Sequence, residues 1–186
     1  MSTDDQRGKI LLPIARAAIA RALDIPVTAD ESAPWLSDFG ACFVTLTQED
    51  ELRGCIGTLQ AHRSLLDDVK CNAVSAALCD PRFAPLRAGE FNMTAVEISL
   101  LSPTQMMDVR HEADALSQLR IGVDGIVFEF GRHRSTFLPQ VWEQLPKPRE
   151  FMAQLKRKAG LPGDFWAEGI RLSRYTVTKW RELDYY

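Results

Sequence analysis

The stretch that decides the fold is Glu51–Leu59, which reads ELRGCIGTL. Its pattern predicts a β-strand, whose side chains alternate between two faces. One face would carry Arg53, Cys55 and Gly57, and the other Leu52, Gly54, Ile56 and Thr58. Neighbouring positions on one face are roughly 6.5 to 7 Å apart. A fixed Arg53 guanidinium at that distance would favour the thiolate form of Cys55.

Two glycines flank the cysteine in this predicted strand. Glycine inside a strand often marks a bulge or a place where another chain or a ligand approaches the backbone. Gly54 and Gly57 therefore predict one of these features beside Cys55. The alternative is that Cys55 is a buried, inert thiol, because free cysteine often behaves as a small apolar side chain.

The rest of the chain supplies helices and further strands around this segment. Residues Ala41–Thr47 predict a strand that a turn at Gln48–Asp50 joins to the Cys55 strand. Helical spacing or capping signals predict helices over Gly8–Leu23, Ser64–Leu78, His111–Leu119 and Pro148–Ala159. Other extended segments are predicted over Met93–Leu101, over Ile121–Phe130 as strand, Asp-Gly turn and strand, over Ser135–Leu138 and over Tyr175–Trp180.

Several of these strands are joined as hairpins rather than through strand-helix-strand crossovers. That arrangement predicts an α+β protein with a mainly antiparallel sheet and flanking helices. A chain of 186 residues can form one large domain or two small lobes. We treat residues 1–186 as a single domain whose internal boundary the sequence does not fix.

Three further places carry candidate functional residues. Asp80 and Arg82 follow a helix in the turn DPRF, where they either line a site or pair with each other and cap the helix. Glu97 lies on the less apolar face of its strand. It would pair with Arg53 or act as a base if it shares the face of Arg53 and Cys55, and would otherwise be a solvated carboxylate. His133, in a polar turn, is either an acid or base or simply exposed.

Composition limits the functional classes. The net charge is -3, from 22 basic and 25 acidic residues, and gives no signal for nucleic acid or an anionic membrane. No apolar run approaches the roughly 18 residues of a membrane span, and the polar N-terminus does not resemble a secretory signal. The four cysteines and three histidines lack the spacing of disulfide or metal sites, so we expect a reduced, cytoplasmic protein without metal or cofactor.

Several motifs in a fixed order resemble one known family. They are LRGCIGT (52–58), DPRF (80–83), EISLLSP (97–103), TFLPQVW (136–142), EF (150–151) and KAGL (158–161). Together they are similar to the AMMECR family, whose bacterial members are called AmmeMemoRadiSam system protein A. The resemblance covers about Ile10 to Trp180. It implies two α/β subdomains around a cleft near the LRGCIG motif, and partners of the Memo and radical SAM types, but no defined reaction.

Two functional hypotheses follow. In the first, the protein is an enzyme or enzyme component in which Cys55 is the nucleophile or covalent carrier and Arg53 favours the thiolate or binds an anion. Glu97, His133 and Asp80 would then be acid or base candidates. The substrate would meet Gly54, Ile56, Gly57, Asp80 and Arg82. In the second, the protein is a non-catalytic ligand-binding or scaffold module for the same partners. A third possibility is that the motif is only a tight strand crossing.

Overall fold

The structure, a computed structural model, describes residues 3–185 of the chain. Within these residues, the strands form two four-stranded antiparallel sheets, and four α-helices accompany them. The predicted α+β class with mainly antiparallel pairing is confirmed.

The helices are α1 (Thr3–Ala22), α2 (Leu65–Leu78), α3 (Glu112–Gln118) and α4 (Pro148–Lys158). The strands are β1 (Ala41–Gln48), β2 (Glu51–Gly57), β3 (Ala95–Leu101), β4 (Gln105–Met106), β5 (Gly125–Phe130), β6 (His133–Phe137), β7 (Arg171–Tyr175) and β8 (Val177–Arg181). All four predicted helices are present, although α1 begins five residues before its predicted start at Gly8.

The chain divides into two compact units. The first runs to Leu101 and resumes at Thr178, and the second comprises Ser102–Val177. In the first unit the strand order is β2-β1-β3-β8. Cys42, Val44 and Leu46 alternate along β1 and are fully buried, because their side of the sheet forms one core with apolar residues of α1 and α2.

A two-residue turn joins β1 to β2. Glu49 and Asp50 both have positive φ angles, 51° and 64°, as a tight hairpin turn requires. The pairing begins with Gln48 opposite Glu51, but its register shifts between Leu46, which faces Gly54, and Thr47, which faces Leu52. Arg53 is therefore an extra residue, so a β-bulge interrupts the strand, as the glycine beside it suggested.

The second unit has its own sheet and core. Its strand order is β4-β7-β5-β6, and Phe128 on β5 packs in one cluster with Phe151 and Leu155 of α4. Trp142 stacks on Phe151 with ring centroids 3.8 Å apart. These buried aromatic residues lie in the second unit's own core.

Two strand predictions in the second half of the chain are wrong in part. Ile121–Val123 is part of a turn and not a strand, because the buried Asp124 carboxylate accepts hydrogen bonds from the backbone and guanidinium of Arg120. The predicted final strand, Tyr175–Trp180, is interrupted at Thr176. Tyr175 ends β7, whereas residues 177–180 lie in β8, which belongs to the other sheet. Between them, Thr176 accepts a hydrogen bond from the Ser102 amide and donates one to the Ser102 hydroxyl.

Candidate functional site

Cys55 lies in a polar row that crosses the first sheet. It faces Thr45 on β1, and Thr45 in turn faces Glu97 on β3. The Thr45 hydroxyl donates to the Cys55 Sγ at 3.4 Å, and the Lys179 Nζ lies 3.6 Å from Oε1 of Glu97. A half-buried thiol, a hydroxyl and a paired carboxylate therefore occur in this order on one face. This face is opposite to the one that Val44 and Leu46 bury.

The backbone of Cys55 is held by two side chains that follow α2. Its amide donates to Oδ2 of Asp80 at 2.8 Å, and its carbonyl accepts from Nη2 of Arg82 at 3.3 Å. Arg82 also donates from Nε and Nη2 to the two carboxylate oxygens of Asp80, at 3.0 and 2.7 Å. We call Cys55, Asp80 and Arg82 the Asp80 cluster. Asp80 and Arg82 thus pair with each other, one of the two roles open at the sequence level, and they also fix Cys55.

Ionisation in the Asp80 cluster follows from these contacts. Hydrogen bonds from Arg82, and then from the Cys55 amide, hold the pKa of Asp80 well below its usual value, although burial opposes them. The pKa of Arg82 is raised, first by its hydrogen bonds to Asp80 and more weakly by charge interactions with Asp80 and Cys55. Asp80 is therefore a carboxylate and Arg82 a cation at neutral pH.

Strict alternation predicted that Arg53 would lie beside the Cys55 thiol, but it does not. The bulge breaks the alternation at this residue, and its guanidinium instead donates to the carboxylate of Glu90 at 3.2 and 3.5 Å. Glu90 also accepts from Gln48, which lies on the Leu46 side of β1. The backbone amide of Arg87, and then Arg53, lower the pKa of Glu90. The cation that contacts Cys55 is Arg82.

The motif's apolar and glycine positions pack within the first unit. A Cβ on Gly54 would collide with the carbonyl oxygen of Ala76 in α2, and one on Gly57 would collide with the Phe43 ring. Ile56 packs against the core of the first unit. The close approach predicted at the glycines is therefore made by this chain's own atoms.

His133 belongs to the second unit and is the first residue of β6, so its predicted place in a turn is wrong. Its Nδ1 lies 2.8 Å from the carbonyl oxygen of Ala159, the residue that ends α4. His133 thus provides a hydrogen-bond partner for a carbonyl at the end of a helix, which is a structural role.

A second carboxylate-centred group, at the start of α2, escaped the sequence reasoning. The buried Asp68 accepts from the Cys42 amide at 2.8 Å, from Nε of Arg63 at 2.8 Å, and from Thr58 and Asn72 at 2.7 and 3.0 Å. We call these five residues the Asp68 cluster. Burial, and then the Asp68 charge, raise the pKa of the Cys42 thiol. Cys42 is therefore held in its neutral form.

Thr45 is the member of the row that sequence reasoning missed. A regular hairpin with Gln48 opposite Glu51 would have placed Thr45 opposite Gly54. The bulge moves the register by one residue and brings Thr45 opposite Cys55. A hydroxyl on the partner strand is the only sequence signal for it.

Two features of residues 3–185 bear on function. No helix there has the length and apolar character to cross a membrane. No three or more His, Cys, Asp or Glu side chains in that range are grouped so that they could hold a metal ion.

The AMMECR1 family profile matches residues 12–180 of the chain. The chain belongs to the AMMECR1 family. Protein MJ0810 of Methanocaldococcus jannaschii is 36% identical over 188 residues, which cover 96% of this chain and 92% of that protein. A Methanothermobacter thermautotrophicus protein is 35% identical and covers 94% of each chain.

A solved structure supports the same AMMECR1 assignment. The crystal structure of the uncharacterized protein PH0010 from Pyrococcus horikoshii matches with a TM-score of 0.77 at 29% identity. The match covers 95% of this chain and 92% of that one. The family resemblance predicted from the motifs is therefore confirmed over nearly the whole chain.

Proposed function

We propose that this AMMECR1-family protein is an enzyme, or a component of one, that uses Cys55 of its LRGCIG motif as a nucleophile. The main support is the hydrogen bond that the Thr45 hydroxyl donates to the sulfur of the half-buried Cys55. The amide and the carbonyl of this cysteine are also both hydrogen-bonded to side chains. A fixed backbone and a directed donor are what a nucleophile needs in order to react in one defined orientation.

Each neighbour has a role in this proposal. Thr45 donates a hydrogen bond that stabilises negative charge on the sulfur. The Arg82 cation contacts the Cys55 carbonyl and adds positive charge near the same residue. Glu97, one strand beyond Thr45, is the acid or base candidate of the same row. Arg53 supports the bulge through Glu90, and His133 has no part in the chemistry.

The test is the alkylation rate of each cysteine in the folded protein at neutral pH, read by peptide mass spectrometry. Cys71 and Cys79 are more exposed than Cys55, and Cys42 is fully buried. Faster alkylation of Cys55 than of Cys71 and Cys79 would mean activation, because exposure alone would give the reverse order. Cys42 should react only on unfolding. A Cys55 that stays unreactive until the protein unfolds would end the proposal.

A pair of threonine variants tests whether the Thr45 hydroxyl activates Cys55. Thr45→Val removes the donor to sulfur while keeping the side-chain shape, and should slow Cys55 alkylation about five-fold, the value of one ordinary hydrogen bond. Thr47→Val, on the same strand and facing Leu52, is the matched control and should leave the rate unchanged. Equal rates in both variants would remove Thr45 from the mechanism.

The partners in this proposal are the Memo-type and radical SAM proteins of the AmmeMemoRadiSam system. Their support is the family resemblance of the motifs. The competing function is a non-catalytic ligand-binding or scaffold module for the same partners. Cells that carry only Cys55→Ser would keep full function under the module hypothesis and lose it under the catalytic one.

A further inference from the structure

The guanidinium of Arg82 is exposed although its carboxylate partner is not. The side chain of Arg82 is 54% exposed, whereas that of Asp80 is 2% exposed. Solvent at this point of the first unit therefore meets the cation of the ion pair and not the anion. An approaching ligand would meet the same positive charge.

Arg82 is also fixed in place. Nε and Nη2 form two parallel hydrogen bonds with the Asp80 carboxylate, and Nη2 donates in addition to the Cys55 carbonyl. The Phe83 ring lies 5.5 Å from the guanidinium carbon. Such a fork has lost most of its rotational freedom before any ligand arrives, so binding to it costs little further entropy.

One nitrogen of this fixed group is uncommitted. Among residues 3–185, no hydrogen bond or ion pair uses Nη1 of Arg82, which carries two N–H groups. Arg53 is less suitable, since its side chain is 14% exposed and its partner Glu90 is 28% exposed. Nη1 is therefore the available donor of an exposed arginine whose other terminal nitrogen, Nη2, contacts the Cys55 carbonyl.

We propose that Nη1 of Arg82 binds an oxyanion, a carboxylate or a phosphate group, of the substrate that Cys55 attacks. This inference rests on the proposed function and adds the substrate class: an anionic molecule whose electrophilic atom reaches Sγ when its oxyanion lies on Arg82. The two N–H groups of Nη1 belong to a permanently charged guanidinium, so they can form charge-assisted hydrogen bonds with a carboxylate or phosphate oxygen. In the Asp80 cluster, Asp80 then orients the group that binds the anion and holds the residue that reacts.

The test compares two alkylating reagents of similar size, the anionic iodoacetate and the neutral iodoacetamide. In both reactions the cysteine sulfur forms a bond to carbon, iodide leaves, and the thiol proton passes to solvent. The ratio of the iodoacetate rate to the iodoacetamide rate should be about five-fold higher at Cys55 than at Cys71 and Cys79, the size of one exposed charge contact. In Arg82→Gln the ratio at Cys55 should fall to that of the other two cysteines.

Arg120→Gln is the matched control for charge and exposure. Arg120 is a 53% exposed arginine on the buried Asp124, and its ion pair lies wholly in the second unit. This variant should leave the Cys55 ratio at the wild-type value. An unchanged ratio in Arg82→Gln, or an equal fall in Arg120→Gln, would overturn the assignment to Arg82.

A titration without alkylation separates failure of the anion site from failure of the thiol chemistry. Inorganic phosphate and acetate would each be added to the folded protein while the Cys55 amide signal is followed by NMR. A saturable shift with either ion, lost in Arg82→Gln, supports the site even if Cys55 proves unreactive. The ion that saturates distinguishes a phosphate from a carboxylate substrate. No saturable shift with either ion in the wild type overturns the inference.

Discussion

The Asp68 and Asp80 clusters lie at opposite ends of α2, and each contains an aspartate, a cysteine and an arginine. In each, a buried carboxylate accepts the backbone amide of a strand cysteine at 2.8 Å and pairs with an arginine. The difference lies in the thiol. Cys42 is fully buried with its pKa raised by burial, whereas Cys55 is half-buried and accepts the Thr45 hydroxyl.

This contrast shows that a cysteine, aspartate and arginine in contact do not by themselves make a reactive site. The Asp68 cluster joins α2 to β1 through bonds that are largely closed to solvent. The Asp80 cluster holds β2 by similar bonds, yet its arginine is exposed. We therefore interpret the first as structural and the second as structural and functional together.

We expect the largest loss of stability when the Asp68 cluster, the structural one of the two, is disrupted. Asp68→Ala leaves the Cys42 amide, Arg63 and the Asn72 amide without their acceptor in a buried place. Loss of one partner of a buried ion pair costs about 3 to 5 kcal/mol of unfolding free energy. Urea denaturation measures it, with the exposed neighbour Asp67→Ala as control. A loss below that of the control would contradict the structural role.

A smaller effect is expected where α2 crosses β2. Gly54→Ala pushes a Cβ against the Ala76 carbonyl, and overpacking of this kind costs about 1 to 3 kcal/mol. The displacement should also weaken the Asp80 cluster, because Asp80 follows the same helix. Gly89→Ala is the control, since no atom lies within 4 Å of its added Cβ. Equal stability of the two variants in urea would show that the helix has room to move.

The smallest expected effect is a difference in how the stability of the protein depends on pH. The folded pKa of Asp80 is lowered, so its ionised form contributes stability fully above the unfolded pKa of about 3.9 and loses it as the pH falls toward the folded value. Asp80→Asn has no ionisable carboxyl group at this position and therefore lacks this pH-dependent contribution to stability. Between about pH 5 and pH 2 the wild type should lose more stability than the variant. Parallel losses in urea denaturation at each pH would refute the role of the Asp80 charge.

The fold was predictable from local patterns more than the site was. The hairpin turn at Glu49 and Asp50, the Ser64 cap of α2 and the positive φ of Gly160 beyond α4 all follow from adjacent residues. Asp80 and Arg82 were found as a turn motif. Their contact with Cys55, 25 and 27 positions earlier, depends on how closely α2 packs on β2, and no local signal reports that.

The single bulged residue accounts for the main error at the site. Alternation is a property of a regular strand. The extra residue at Arg53 shifts the partners of Gly54 and Cys55 by one position, whereas Leu52 keeps its expected partner Thr47. The sequence marked a bulge through Gly54 but not its position. Which arginine stands beside the thiol therefore could not be decided without the register of β1 and β2.

The order in which the first unit receives its strands has a consequence for synthesis. Strands β1 to β3 emerge from the ribosome first, but β8, which completes their sheet, begins only at Val177, the last residue of the second unit. The second unit is continuous and can close as soon as it has emerged, whereas the first must wait with the edge of β3 unpaired. Nascent chains stalled before Thr178 should therefore need chaperone protection that the finished protein does not.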